Sequence, residues 1–136
     1  MKTAKRGVQL IAEICKRKGI RDVVFSPGSR SAPLVIAFSE LPGINTYVLP
    51  DERVAGYFAL GLAQQTLTPV AVVCTSGTAL LNLAPAVCEA YYQEVPLLLL
   101  TADRPAELIG IGENQAINQT RIYQNYVRAS YTMSAD

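Results

Sequence analysis

The stretch Val70–Cys74 most constrains the fold, because it contains no polar side chain. A short, largely β-branched run of this kind, entered from Pro69, suits a central strand of a parallel sheet, covered on both faces. Parallel neighbours need long crossovers, and the chain supplies them. Asp22–Phe25, Ile44–Leu49 and Pro96–Leu100 read as three further strands. Between them lie helical patterns: Lys2–Lys18 with Val8, Ile11, Ile14 and Cys15 on one face, about Ala32–Ser39, Glu52–Gln65 capped by Asp51, and a helix from the Thr75–Thr78 turn to near Tyr92. The alternation predicts an α/β fold, a three-layer doubly wound parallel sheet. A length of 136 residues fits one domain spanning 1–136. The tail from Gly110 is polar and less regular, and no closing element precedes Ser134-Ala135-Asp136, so the chain reads as a truncated domain.

Charged residues are 17% of the chain, below the usual value of about 25%. Interface cores are depleted in charge, so part of the surface is expected to be covered by a partner. The Glu52–Gln65 helix sharpens that expectation. Val54, Ala55, Tyr57, Phe58, Ala59, Leu60, Leu62 and Ala63 make it apolar nearly all round, which predicts burial on most faces. Its Gly56 and Gly61 weaken a helix but permit close backbone approach. A subunit interface accounts for both features.

The net charge of +1 provides no field toward nucleic acid or an acidic membrane. Apolar runs such as Val95–Leu100 are too short to span a bilayer. The absence of histidine excludes Ser-His-Asp and Cys-His catalysis and any His-based metal site. Cys15, Cys74 and Cys88 each sit in apolar sequence, which predicts buried, reduced thiols and a cytoplasmic protein. No signal peptide pattern opens the chain.

Ligands of open parallel sheets bind beyond the carboxyl ends of the strands. All four predicted exits are rich in functional groups: Ser26–Ser31, Pro50–Arg53, Thr75–Thr78 and Thr101–Pro105. At Ser29-Arg30-Ser31 a tight turn at Gly28 precedes a helix start flanked by two hydroxyls and a guanidinium, which suits a carboxylate or phosphate; helix capping with a solvated arginine is the alternative. Glu52 in a helix's first turn is ordinarily a dipole partner. On so apolar a helix it is instead open to partial desolvation and a role as proton relay. Thr75-Ser76-Gly77-Thr78 is not a nucleophile elbow, a P-loop or a dinucleotide fingerprint, and capping accounts for Ser76 and Thr78 taken alone. Asp103-Arg104 reads as a local ion pair. Asn114, Gln115, Asn118 and Gln119 form an amide cluster.

Taken in order, five segments carry a resemblance: Ser26-Pro27-Gly28-Ser29-Arg30-Ser31-Ala32-Pro33-Leu34, Asp51-Glu52-Arg53, Cys74-Thr75-Ser76-Gly77-Thr78-Ala79, Leu100-Thr101-Ala102-Asp103-Arg104-Pro105-Ala106-Glu107-Leu108 and Gly112-Glu113-Asn114-Gln115-Ala116-Ile117. Together they resemble the amino-terminal part of the 2-succinyl-5-enolpyruvyl-6-hydroxy-3-cyclohexene-1-carboxylate synthases, within the thiamine-diphosphate-dependent superfamily, over roughly Lys5–Gln119. The resemblance implies a pyrimidine-binding domain. It implies that Glu52 hydrogen-bonds the 1'-nitrogen of the aminopyrimidine ring and so favours the tautomer that removes the thiazolium proton. The reaction implied is decarboxylation of 2-oxoglutarate and addition of the succinyl unit to isochorismate, in menaquinone biosynthesis. Thr75, Ser76 and Gly77 match a turn near the cofactor. Ser29, Arg30 and Arg104 match positions that hold isochorismate carboxylates, and Asn114 and Gln115 match a substrate-contacting loop. The family's Gly-Asp-Gly and Asn signature for diphosphate and Mg2+ is absent here, so no metal ligand is assigned and the fragment is expected to be inactive alone. The cofactor of this superfamily lies between two chains, which implies a homodimer or homotetramer. Two rivals remain at this stage: a nucleotide- or anion-binding module without catalysis, and a scaffold domain whose apolar helix merely dimerises.

Overall fold

The computed structural model describes residues 5–133. Four strands, β1 (Asp22–Phe25), β2 (Asn45–Val48), β3 (Val70–Cys74) and β4 (Leu97–Thr101), form one parallel sheet in the order β2-β1-β3-β4. The central position expected of Val70–Cys74 is met: all five residues are buried, between β1 and β4. Alternate side chains point to opposite faces of a strand, so each face of β3 joins a different core.

Among the described residues five α-helices cover the two faces: α1 (Arg6–Arg17), α2 (Ala32–Ser39), α3 (Glu52–Thr66), α4 (Ala79–Asn82) and α5 (Ala84–Tyr92). Val24, Val70, Val72 and Cys74 pack with Ala55, Ala59, Leu80, Leu83 and Val87 from the α3–α5 side. Val23, Phe25, Ala71 and Val73 pack with Ala12, Cys15 and Phe38 from the α1–α2 side. This is the three-layer doubly wound arrangement that the sequence predicts. The strand order departs in opposite directions from the β1–β3 pair, which makes that pair the topological switch point.

Several boundaries differ from expectation. Pro96 has no N–H to give a ladder, and β4 begins at Leu97 and runs on to Thr101. The helix expected from Thr78 to Tyr92 is two helices. Pro85 falls in the first turn of α5, and the α4 geometry stops at Asn82 because proline accepts no continuous helix through it. The first helix begins at Arg6; its expected start at Lys2 lies outside the described residues. Cys15 and Cys74 are buried as expected, but Cys88 is only half-buried; all three are free thiols.

Asp51 caps α3 as predicted, its Oδ1 accepting from Val54 N at 3.0 Å. One stripe of α3, Ala55, Gly56, Ala59, Leu60 and Ala63, is buried. The expectation of burial on most faces is not met within a single chain: Val54, Tyr57 and Phe58 are 51%, 48% and 41% exposed.

Candidate functional site

The strand exits are stitched to one another at the carboxyl edge of the sheet. Ser26 Oγ, just beyond β1, donates to Leu49 O beyond β2 at 2.7 Å. Ser26 N donates to Val73 O of β3 at 2.9 Å, and Ala102 N beyond β4 donates to Cys74 O at 3.0 Å. These bonds extend the sheet by one residue past its strands. They leave the loops that follow rooted side by side.

At the switch point the β1 and β3 turns touch. A Cβ on Gly28 would lie 2.5 Å from Thr75 Cβ, so no side chain fits there. Thr75 is buried and packs its side chain against that glycine. Ser29 and Arg30 are exposed on the turn. Ser31 does not join them. It is fully buried, and its Oγ both accepts from Gly28 N and donates to Gly28 O, each at 3.1 Å. The expected pair of outward hydroxyls is therefore a single one, Ser29, because the turn consumes the other.

Ser76 occupies the β3 exit in full burial, and its Oγ has no hydrogen-bond partner. Leaving a buried hydroxyl unsatisfied costs about 1–3 kcal/mol, so such a group marks a place where a partner is missing. Gly77 follows with φ +83°, and a Cβ on it would lie 2.8 Å from Gln115 O. The segment bearing Gln115 thus rests directly on the β3 turn.

Glu52 is half-buried at the first turn of α3. Asn82 Nδ2, at the end of α4, approaches its Oε2 at 3.4 Å. The break before Pro85 leaves Asn82 at this helix end. Burial pushes the Cys74 thiol up to about 12, and the neighbouring Glu52 charge adds to the shift. Glu52 is thereby close to the end of β3 as well as to α4. Tyr123, whose hydroxyl donates to Leu80 O, is raised too, by burial first and by Cys74 second.

Arg104 is half-buried beyond β4, with Nη2 donating to Asn114 O at 2.7 Å and Nε buried without a partner. The expected Asp103–Arg104 ion pair does not form among the described residues. Asp103 Oδ1 accepts from Arg104 N at 2.7 Å, and the guanidinium turns to the 114 loop. Partial burial raises the Asp103 carboxyl, and the bond from Arg104 N opposes that rise. Asn114 and Gln115 are exposed. No group of three or more His, Cys, Asp or Glu side chains suited to a metal ion occurs among the described residues.

The predicted residues thus fall into linked sets: Gly28 with Thr75, Gly77 with Gln115, Arg104 with Asn114, and Glu52 with Asn82 and Cys74. Two contributors were missed by the sequence reading. Asn82 became visible only with the helix break. Gln119 was grouped with three other amides, yet it is the one whose two ends are both bonded, to Gly77 N and Ala102 O.

A sheet edge of this kind, with functional groups gathered beyond the carboxyl ends of parallel strands, is where α/β domains bind their ligands. A family model described as "Thiamine pyrophosphate enzyme, N-terminal TPP binding domain" matches residues 5–122, and the chain belongs to this family. It is 53% identical over 118 residues to a 2-succinyl-5-enolpyruvyl-6-hydroxy-3-cyclohexene-1-carboxylate synthase of Flavobacterium johnsoniae, covering 87% of this chain and 21% of the relative. Synthases of the same name from Porphyromonas gingivalis and Staphylococcus aureus are 49% and 50% identical, covering 97% and 85% of this chain and 23% and 21% of those relatives. The resemblance seen in the five segments is borne out. The chain spans only about a fifth of the length of the curated relatives it matches.

Proposed function

We propose that the chain is the amino-terminal, pyrimidine-binding part of a thiamine-diphosphate-dependent transferase that decarboxylates 2-oxoglutarate and adds the succinyl unit to isochorismate in menaquinone biosynthesis. The names of relatives about half identical to this chain support the reaction. The observation that carries the reading is Glu52: a half-buried carboxyl at the carboxyl edge of the sheet, close to Cys74 and met by Asn82.

The residues fit an aminopyrimidine ring. Asn82 engages only Oε2 of Glu52, which leaves the other carboxylate oxygen for a ring nitrogen. The unpartnered Ser76 Oγ offers a second polar contact on the same edge. Bound thiamine diphosphate supplies the reactive carbon centre and the electron sink for carbon dioxide loss. Glu52 would hydrogen-bond the ring nitrogen and serve as its proton relay. Thr75, Ser76 and Gly77 form the turn beneath the cofactor. Ser29, Arg30 and Arg104 take the carboxylates of isochorismate, for which planar guanidinium forks are suited, and Asn114 and Gln115 complete that side.

Diphosphate and Mg2+ are held by a domain outside this chain, and a second copy of the polypeptide completes each site in a cytoplasmic homodimer or homotetramer. The apolar exposed stripe of α3 supports such an assembly, as does the open space beside Gly61, where an added Cβ would meet nothing within 4 Å. The half-burial of every residue of Leu97–Thr101 supports further chain packed over β4.

The test is Glu52→Gln in the full-length enzyme. Glutamine keeps the shape and loses the relay. Decarboxylation of 2-oxoglutarate is expected to fall by about 100-fold or more. A variant with wild-type turnover removes Glu52 from the chemistry and the reading with it.

A further inference from the structure

Gln119 lies in the irregular segment that follows β4, and it fastens that segment to two strand exits at once. Its Oε1 accepts from Gly77 N at 2.8 Å and its Nε2 donates to Ala102 O at 3.0 Å. A backbone N–H can only donate and a carbonyl can only accept, so the amide has one possible orientation. An uncharged amide of this length satisfies both, and an ionised carboxylate does not. The two partners stand on different strand exits, Gly77 after β3 and Ala102 after β4.

Two further contacts act on the same segment. Gln115 O and Cα lie 2.8 and 3.0 Å from where a Cβ on Gly77 would be, so the segment is pressed against the turn. Arg104 Nη2 holds Asn114 O at 2.7 Å. Gln115 itself is held at φ +54°, a left-handed backbone conformation that a non-glycine residue keeps only when its surroundings fix it.

We infer that Gln119 is a positioning residue, which clamps the 113–119 segment across the exits of β3 and β4 and so fixes Asn114 and Gln115 for the second, ring-bearing dicarboxylate substrate. This rests on the proposed reading of the site. Gln119 faces backbone groups only; it acts through the two residues upstream of it. Loss of the clamp frees the loop that meets the ring substrate, while Glu52 on α3 keeps its own support from Asp51 and Asn82.

The experiment compares Gln119→Met, similar in length and unable to make either bond, with Gln119→Glu, which can accept from Gly77 but cannot donate to Ala102. Both are made in the full-length enzyme. Gln119→Met is expected to raise the KM for isochorismate about tenfold, with 2-oxoglutarate decarboxylation and thiamine diphosphate affinity within about twofold of wild type. Gln119→Glu is expected to fall between the two. An unchanged KM overturns the positioning role, and so does a parallel loss of decarboxylation, which would make the residue a support of the whole edge. Hydrogen exchange without any substrate separates this from the reading beneath it. In Gln119→Met the amides of the 113–119 segment and of Gly77 should exchange about tenfold faster while the β3 amides keep their protection. Unaltered exchange there refutes the clamp whatever the enzyme acts on. Faster exchange in a protein that does not use isochorismate refutes the substrate assignment instead.

Discussion

Cys74 illustrates how a single buried atom reports on its neighbours. It closes β3 with no exposed surface, and burial together with the Glu52 charge lifts its thiol from about 9 to about 12. The thiol is therefore protonated at neutral pH, and Cys74 is a packing residue beside the site, not a nucleophile. The folded state binds this proton more tightly than the unfolded state does. Its contribution to stability is complete below pH 9 and fades as pH climbs toward 12. Tyr123 acts in the same direction from its ordinary value of 10 upward. The urea midpoint should hold steady up to about pH 9 and then decline through this window. In Cys74→Ala the early part of the decline should shrink, and a decline of wild-type size would show that other groups control alkaline unfolding. At neutral pH a thiol reagent should label half-buried Cys88 before Cys74, as mass spectrometry of the native protein can read.

The elements were legible where their pattern was local. The run Val70–Cys74 could be placed at the centre of the sheet from its lack of polar atoms, and Asp51 could be placed at a helix start from residue type alone. The four sheet-edge segments could be grouped because parallel topology sends all exits to one side. What was not legible depended on contacts between distant residues. Ser31 has the composition of an outward cap, but its hydroxyl closes its own turn. Arg104 stands beside Asp103 in sequence, yet it bonds a carbonyl ten residues on. Gln119 differs from its amide neighbours only through Gly77, a partner 42 residues away. Pro85 is a local signal for the helix break, but the contact that the break gives Asn82 is with Glu52, 30 residues away. The α3 cap has a consequence that can be measured. Asp51 satisfies an otherwise free amide of the first turn, and Glu52 is the first residue of that turn. Asp51→Ala should cost about 1 kcal/mol of stability, while Asp51→Asn, also a good cap, should restore most of it. Thermal unfolding of the two variants decides this, and equal losses would assign the effect to charge instead of capping.

At the scale of the molecule, the low charge content and the shape of the core lead to the same surface. Within one chain α3 buries only its small residues, Ala55, Gly56, Ala59 and Ala63 with Leu60, against β3 and α5. Val54, Tyr57 and Phe58 face outward, and Phe58 meets Tyr47 of the edge strand in a tilted arrangement with ring centroids 5.2 Å apart. A helix that hides its alanines and presents Val54, Tyr57 and Phe58 to water gains little from folding alone and much from a partner, at roughly 25 cal/mol for each Å2 of apolar surface covered. Because Glu52 opens this helix, a partner on that stripe would also enclose the site. On the proposed reading of the site, assembly and activity are then one property. Val54→Asp puts a charge on the stripe, leaves the buried face of α3 alone and keeps the backbone N–H that Asp51 accepts from. In the full-length enzyme it should shift sedimentation from dimer toward monomer, and decarboxylation of 2-oxoglutarate should fall in step with the dimer fraction across a dilution series. A monomer with undiminished specific activity would separate the two, and the α3 stripe would then have to be covered by some other part of the same polypeptide.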